Sequence, residues 1–201
     1  IGYGSQAAIA GTLFHLINHS AFKGSLFLVT GMVDHECGTR DIRRLRGLAK
    51  VMPVTALFAG FGTLAMPGLP PFNGFLSKEL FFESSLQVVN GNLASLGSLA
   101  WLFPAVAVLG SVFTFVYCMV ILFKVFLLGK LPTDLPLSSH GHEAYGPVKE
   151  PCRLMLIPTG ILASLTLLLA FFPNQFAHAV LEPAVSSVTG TSISLHFAFW
   201  H

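Results

Sequence analysis

The segment from Val51 to Val89 constrains this chain most: it is apolar along most of its length but is cut by Met66-Pro-Gly-Leu-Pro-Pro-Phe-Asn-Gly74. As one helix its roughly 39 residues would extend about 58 Å, nearly twice the hydrocarbon thickness of a bilayer. The helix must therefore break, and the prolines supply the break, because each removes a backbone donor and clashes with the preceding turn. Three further apolar stretches are long enough to cross a bilayer: residues 5–33, 99–128 and 154–172. The reading is an all-α, polytopic membrane protein with four crossings, the second, 51–89, being discontinuous near 66–74. Unwound backbone survives at membrane depth only where it is buried in protein or lines a polar cavity, so a helix broken in this way points to a transport site.

Composition supports the membrane reading. Hydrophobic residues make up 53% of the chain and charged residues 10%, against roughly 25% charged in soluble domains. A net charge of +2 and basic residues grouped mostly into particular loops exclude a nucleic-acid surface. Cys37, Cys118 and Cys152 lie far apart and outside any C-x-x-C pattern, which predicts free thiols and no metal site. The chain opens on Ile1 with no signal-peptide pattern, so it reads as an internal or C-terminal piece of a longer protein.

Of the eleven lysines and arginines, Arg40, Arg43, Arg44, Arg46 and Lys50 fill the loop after the first span. Lys124, Lys130, Lys149 and Arg153 bracket the loop between the third and fourth. The positive-inside rule then puts loops 34–50 and 129–153 in the cytoplasm and 173–201 outside, as an external segment leading to a further span. Lys23 and Lys78 remain, both inside spans.

On the first span His15, His19 and Lys23 recur at every fourth position, which places them on one helix face, over about 12 Å of depth. Histidine titrates near neutrality and can accept and release a proton on different ring nitrogens, so three aligned titratable groups read as a proton relay, with Asn18 and Ser20 beside them. A lone histidine there would read equally well as a packing contact. Lys78 follows the Pro/Gly break and lies far from either basic loop. A low dielectric makes such a lysine able to exchange its proton when a neighbouring charge changes. Glu79 is its candidate partner, although consecutive helical residues point about 100° apart. Lys124, near a span end, reads as a snorkelling side chain. His140 and His142 form an unspecific His-Gly-His pair in a polar loop.

These strings carry a resemblance. Leu13-Phe-His-Leu-Ile-Asn-His-Ser-Ala-Phe-Lys-Gly-Ser-Leu-Phe-Leu28, Gly38-Thr-Arg-Asp-Ile-Arg-Arg44, Gly68-Leu-Pro-Pro-Phe-Asn-Gly-Phe-Leu-Ser-Lys-Glu79, Ser111-Val-Phe-Thr-Phe-Val-Tyr-Cys118 and Leu195-His-Phe-Ala-Phe-Trp-His201 resemble the proton-antiporter family. That family is shared by the large membrane subunits of respiratory complex I and the Mrp-type multisubunit sodium/proton antiporters. The resemblance implies that His15, His19 and Lys23 match the family's histidine and bridging-lysine positions on one helix of its second inverted repeat, and that Lys78 matches the lysine of its discontinuous helix. It further implies membership of a hetero-oligomeric complex in a bacterial plasma membrane, exchanging H+ for Na+ with no cofactor. The alternative it leaves open is a proton-pumping membrane subunit of a complex I-like NADH:quinone or hydrogenase-linked oxidoreductase.

Overall fold

A computed structural model of the protein describes residues 6–87, 89, 94–130, 148–190 and 194–195. The described residues are helical, with no strand among them. Helix α1 spans Gln6–Cys37, α2 Pro53–Ala65, α3 Asn73–Gln87, α4 Leu102–Met119 and α5 Arg153–Phe171; α6, Pro173–Phe176, and α7, Glu182–Thr189, follow. A 3-10 segment, Ala94–Trp101, leads into α4, which continues as a π-helical segment over Val120–Leu127. Length and apolarity alone select Gly97–Leu127 and Arg153–Phe171 as membrane-crossing helices. At 32 residues α1 is long enough as well, and its hydropathy is diluted by the polar residues that it turns toward the rest of the bundle.

The discontinuous helix is α2 and α3, laid end to end and antiparallel along α1. Four contacts fix the register. A Cβ on Gly11 would lie 3.4 Å from Leu80 Cβ, His15 meets Ser77, Asn18 meets Asn73, and Phe22 packs with Phe72 and Ala65 in one buried cluster. Each step of three or four residues forward on α1 is answered by a step back on the partner, the signature of facing helical turns. Beyond the break the same direction holds, with Leu26 against Gly62 and Val29 and Met32 in a cluster with Ala59 and Met52.

The break is built, not frayed. Proline at the first position of α2 costs that helix nothing, because the N–H it lacks would be unpaired there anyway. At its other end Gly68 N–H donates to Ala65 O and Leu69 N–H to Leu64 O, a Schellman closure with Gly68 at φ +82°. Pro70–Pro71 is cis. The chain then turns so tightly that a Cβ on Gly74 would fall 1.8 Å from Ala65 O. Only glycine allows that approach.

The first free donors of α2 are satisfied from far away in sequence. The Glu150 carboxylate accepts from Val54 N at 3.0 Å, Thr55 N at 2.8 Å and Thr55 Oγ1 at 2.5 Å. An anion at a helix N-terminus is favourably placed against the helix dipole, so this cap ties the approach to α5 onto α2. In the basic loop, hydrogen bonds from the Arg43 side chain and then from its backbone N–H hold the Asp41 carboxyl down to about 2, and Arg40 pairs with Asp34 at 2.6 Å.

The first helix runs to Cys37, four residues beyond the apolar stretch. Gly38 at φ 64° ends it, and Asp34, His35 and Glu36 are simply its last turn. After α5 the chain bends at Phe172 (φ −122°, ψ 48°) and then runs on as helix to Thr189. Ala177, Leu181 and Val185 from this part pack against Ala10 and Phe14 of α1 and Leu76 of α3. Cys37 and Cys118 are buried, Cys152 is exposed, and all three are free thiols. The sequence motif with His140 and His142 and the string 196–201 lie outside the described residues.

Candidate functional site

Along α1 His15, Asn18, His19 and Lys23 form a polar seam, of which His15 and Asn18 meet α3. The rings of His15 and His19 lie 5.9 Å apart, as i,i+4 spacing requires. Phe22 closes edge-on over both, 6.4 Å from His15 and 5.4 Å from His19. Further along, Lys23 Nζ sits over the Phe27 ring at 5.9 Å, a cation–π placement. Lys23 lines a cavity of about 200 Å³ whose walls are Leu26, Val33, Tyr117 and Ile121, with Arg40 at its rim. Ser20 turns away from the seam and donates to Leu16 O.

The seam meets α3 at two adjacent points. His15 Nδ1 is 3.2 Å from Ser77 Oγ, which itself donates to Gly74 O at 3.3 Å. One turn along, Asn73 Nδ2 donates to Asn18 Oδ1 at 2.9 Å and Asn18 Nδ2 donates to Asn73 O at 3.3 Å. Both asparagines are fully buried. Asn73 Oδ1 has no hydrogen-bond partner among the described residues.

Lys78 lies one residue beyond Ser77 and is half-buried. Its side chain folds back along the break, and Nζ donates to Pro67 O at 2.9 Å. That carbonyl stands at the C-terminal end of α2, where the helix dipole is negative, so the break presents its cation-attracting end to the ammonium. Gly68 makes room for this, since a Cβ there would lie 2.8 Å from Lys78 Cδ. The Glu79 side chain makes no hydrogen bond or ion pair among the described residues; the 100° between consecutive helical residues turns it away from Lys78.

Of the residues singled out by sequence, His15 reaches α3 at Ser77, the residue before Lys78, His19 lies beside His15 on α1, Lys23 stands one turn further toward the basic loop, and Glu79 stands apart. Sequence reasoning missed Ser77, Asn73 and the Pro67 carbonyl. The available signal was the presence of Asn73 and Ser77 within an otherwise apolar stretch.

A bundle of apolar helices that includes a broken helix, with buried polar groups at the break, defines a polytopic membrane protein. The family described as NADH:quinone oxidoreductase/Mrp antiporter, TM, matches residues 1–104, and the chain belongs to that family. It is 46% identical to the A subunit of the Na+/H+ antiporter of Bacillus subtilis, over 99% of this chain and 24% of that protein. It is 43% identical to the A1 subunit of the Na+/H+ antiporter of Staphylococcus epidermidis, over 100% of this chain and 24% of that protein. The chain thus spans about a quarter of the length of these relatives. Among solved structures it is similar to a chain of the Mrp complex from a Dietzia species, with TM-score 0.77 and 30% identity over 100% of this chain and 20% of that one. It is also similar to a chain of an archaeal membrane-bound sulfane sulfur reductase, with TM-score 0.71 and 31% identity over 87% of this chain and 26% of that one.

Gly68 tests the geometry of the break. Gly68→Ala puts a side chain at positive φ against Lys78 and should cost about 1–2 kcal/mol, lowering the melting temperature of the assembled complex in detergent. Gly31→Ala, where a Cβ meets nothing within 4 Å, should leave it unchanged. Equal melting of the two variants would refute the described break.

Proposed function

We propose that this chain is part of the A subunit of a Mrp-type Na+/H+ antiporter, and that protons cross it along His15, His19 and Lys23 and exchange with Lys78 at the helix break. The observation that carries the reading is the contact of His15 with Ser77 on the helix that bears Lys78, which joins the ladder of α1 to the broken helix. A titratable histidine, a hydroxyl able to donate and accept, and an ammonium held by a backbone carbonyl are the parts that a proton relay requires. Lys23, beside its cavity, carries the path toward the basic loop. Glu79 modulates the field around Lys78 without pairing with it.

The partners are the other subunits of the hetero-oligomeric complex, the transported ions are H+ and Na+, and the setting is a bacterial plasma membrane. No cofactor enters the exchange. The likeness to the respiratory sulfane sulfur reductase favours a second reading, a proton-pumping membrane subunit of a redox complex such as a complex I-like NADH:quinone or hydrogenase-linked oxidoreductase. The whole-length identity to antiporter subunits supports the first. Sealed vesicles separate them, because an antiporter moves protons on an imposed sodium gradient with no electron donor or quinone present.

In the full complex, Lys78→Ala should abolish sodium-driven proton movement while assembly persists, and Lys78→Arg should also fail, because arginine does not release its proton. His19→Ala should slow exchange more than Lys124→Ala. Exchange near the wild-type rate in the alanine variant at Lys78 would sink the relay.

The charge distribution supports loops 34–50 and 129–153 as cytoplasmic and the segment after α5 as external. Single cysteines replacing Arg43 and Thr189 should then label from opposite faces of the membrane, the first from the cytoplasm. Labelling of both from one face contradicts the four-crossing topology.

A further inference from the structure

The seam holds one polar contact that the relay does not use for proton transfer. Asn18 and Asn73 bond reciprocally, side chain to side chain and side chain to backbone, at 2.9 and 3.3 Å. Both are wholly buried. Neither amide titrates, so neither carries protons at physiological pH. Their place in the register is informative. Asn18 stands one turn after His15 on α1, and Asn73 stands one turn before Ser77 on α3. Helices carrying hydrogen-bonding pairs in adjacent turns cannot slide or rotate without breaking both, and in lipid a broken buried amide pair finds no water to replace it. The His15–Ser77 contact, by contrast, is a single 3.2 Å bond between a half-buried ring and a buried hydroxyl. Without the asparagines only apolar packing would hold it, and apolar packing constrains register weakly.

We infer that Asn18 and Asn73 are positioning residues, a latch whose reciprocal amide bonds fix the register of α1 on the broken helix so that Ser77 meets His15; the inference rests on the relay reading above. The latch also anchors the first residue of α3, so it sets where the break ends and thereby where Lys78 begins its return to Pro67. Its essential element is a donor at Asn73. That donor can be made conditional on pH. An aspartate at 73 lacks it when ionised and regains it as a carboxylic acid, which donates to Asn18 Oδ1.

Other titratable groups face the same region and must be separated from this effect. They are His15, His19 and Lys23 on α1, Lys78 on α3, and Tyr117 and Cys118 on α4; Glu79 and Glu83 also sit on α3, with Glu79 turned away from Lys78. Beyond them, His178 and Glu182 pair with each other at 2.9 Å on the segment packed against the start of α1. α2 carries no ionisable residue and α5 has only Arg153, at its first position. Because all of these are present in the wild type too, the readout is the ratio of variant to wild-type rate at each pH.

The experiment measures sodium-driven proton exchange by the full complex in sealed vesicles, at matched assembly, for wild type, Asn73→Leu, Asn73→Asp and Lys78→Ala. Asn73→Leu should lose ten- to hundredfold in turnover, on the order that a misplacement of about 1 Å costs, with the apparent KM for Na+ unchanged. Asn73→Asp should be as slow at about pH 8.5 and recover toward the wild-type rate at about pH 6, as the acid reprotonates. A wild-type rate in Asn73→Leu, or an Asn73→Asp ratio that stays flat with pH, overturns the latch. If Asn73→Leu fails to assemble, the pH ratio of Asn73→Asp decides alone. Should Lys78→Ala retain exchange, the relay reading itself falls, whatever the asparagine variants do.

Discussion

A polar group in lipid must find its partner inside the protein, and that requirement organises this chain. Two buried asparagines, a histidine and a serine bond to one another across α1 and α3, and they do so only in one register. Everything else along the seam follows from that alignment. Leu80 arrives at Gly11, Phe72 and Ala65 arrive at Phe22, and beyond the break Gly62 arrives at Leu26. Each amide left without its bonds would cost about 1–3 kcal/mol, comparable to burying a large side chain. The seam thus contributes specificity as well as stability.

The break makes a second kind of site from backbone alone. Splitting one crossing into α2 and α3 exposes a negative helix end and a positive one inside the bundle. The Schellman closure consumes part of the negative end, and the Pro67 carbonyl that remains holds Lys78. Glycines set the dimensions: Gly74 lets the chain touch Ala65, and Gly68 leaves room for the Lys78 stem. The same device of unwound backbone beside a charge recurs wherever membrane proteins hold ions at depth.

Much of this is legible in the sequence, for identifiable reasons. The broken crossing follows from prolines in a stretch too long for one span, and the ladder follows from the spacing of His15, His19 and Lys23, because local geometry fixes both. Hydropathy ends α1 four residues early, since it marks where the chain stops being apolar, whereas Gly38 marks where it stops being helical. The π-helical turns over Val120–Leu127 leave no mark in an apolar periodicity that fits several helix types. Ala177, Leu181 and Val185 do recur at every fourth position, but their small apolar side chains do not announce which helix they pack against. Ser77 and Asn73 are invisible as partners of His15 and Asn18 because pairing across some 55 to 62 residues is a tertiary fact. Glu79 illustrates the reverse: a neighbour in sequence that the helix turns away.

The register of α1 on the broken helix is the claim on which the rest stands, and a disulfide measures it directly. A Cβ on Gly11 lies 3.4 Å from Leu80 Cβ, close to the separation that a disulfide needs. In the assembled complex, with the native cysteines replaced, Gly11→Cys with Leu80→Cys should cross-link in high yield under mild oxidation. Gly11→Cys with Ser84→Cys, one turn further along, should not. A cross-link at Ser84 with none at Leu80 would shift α3 by a turn, separate Ser77 from His15, and contradict the account.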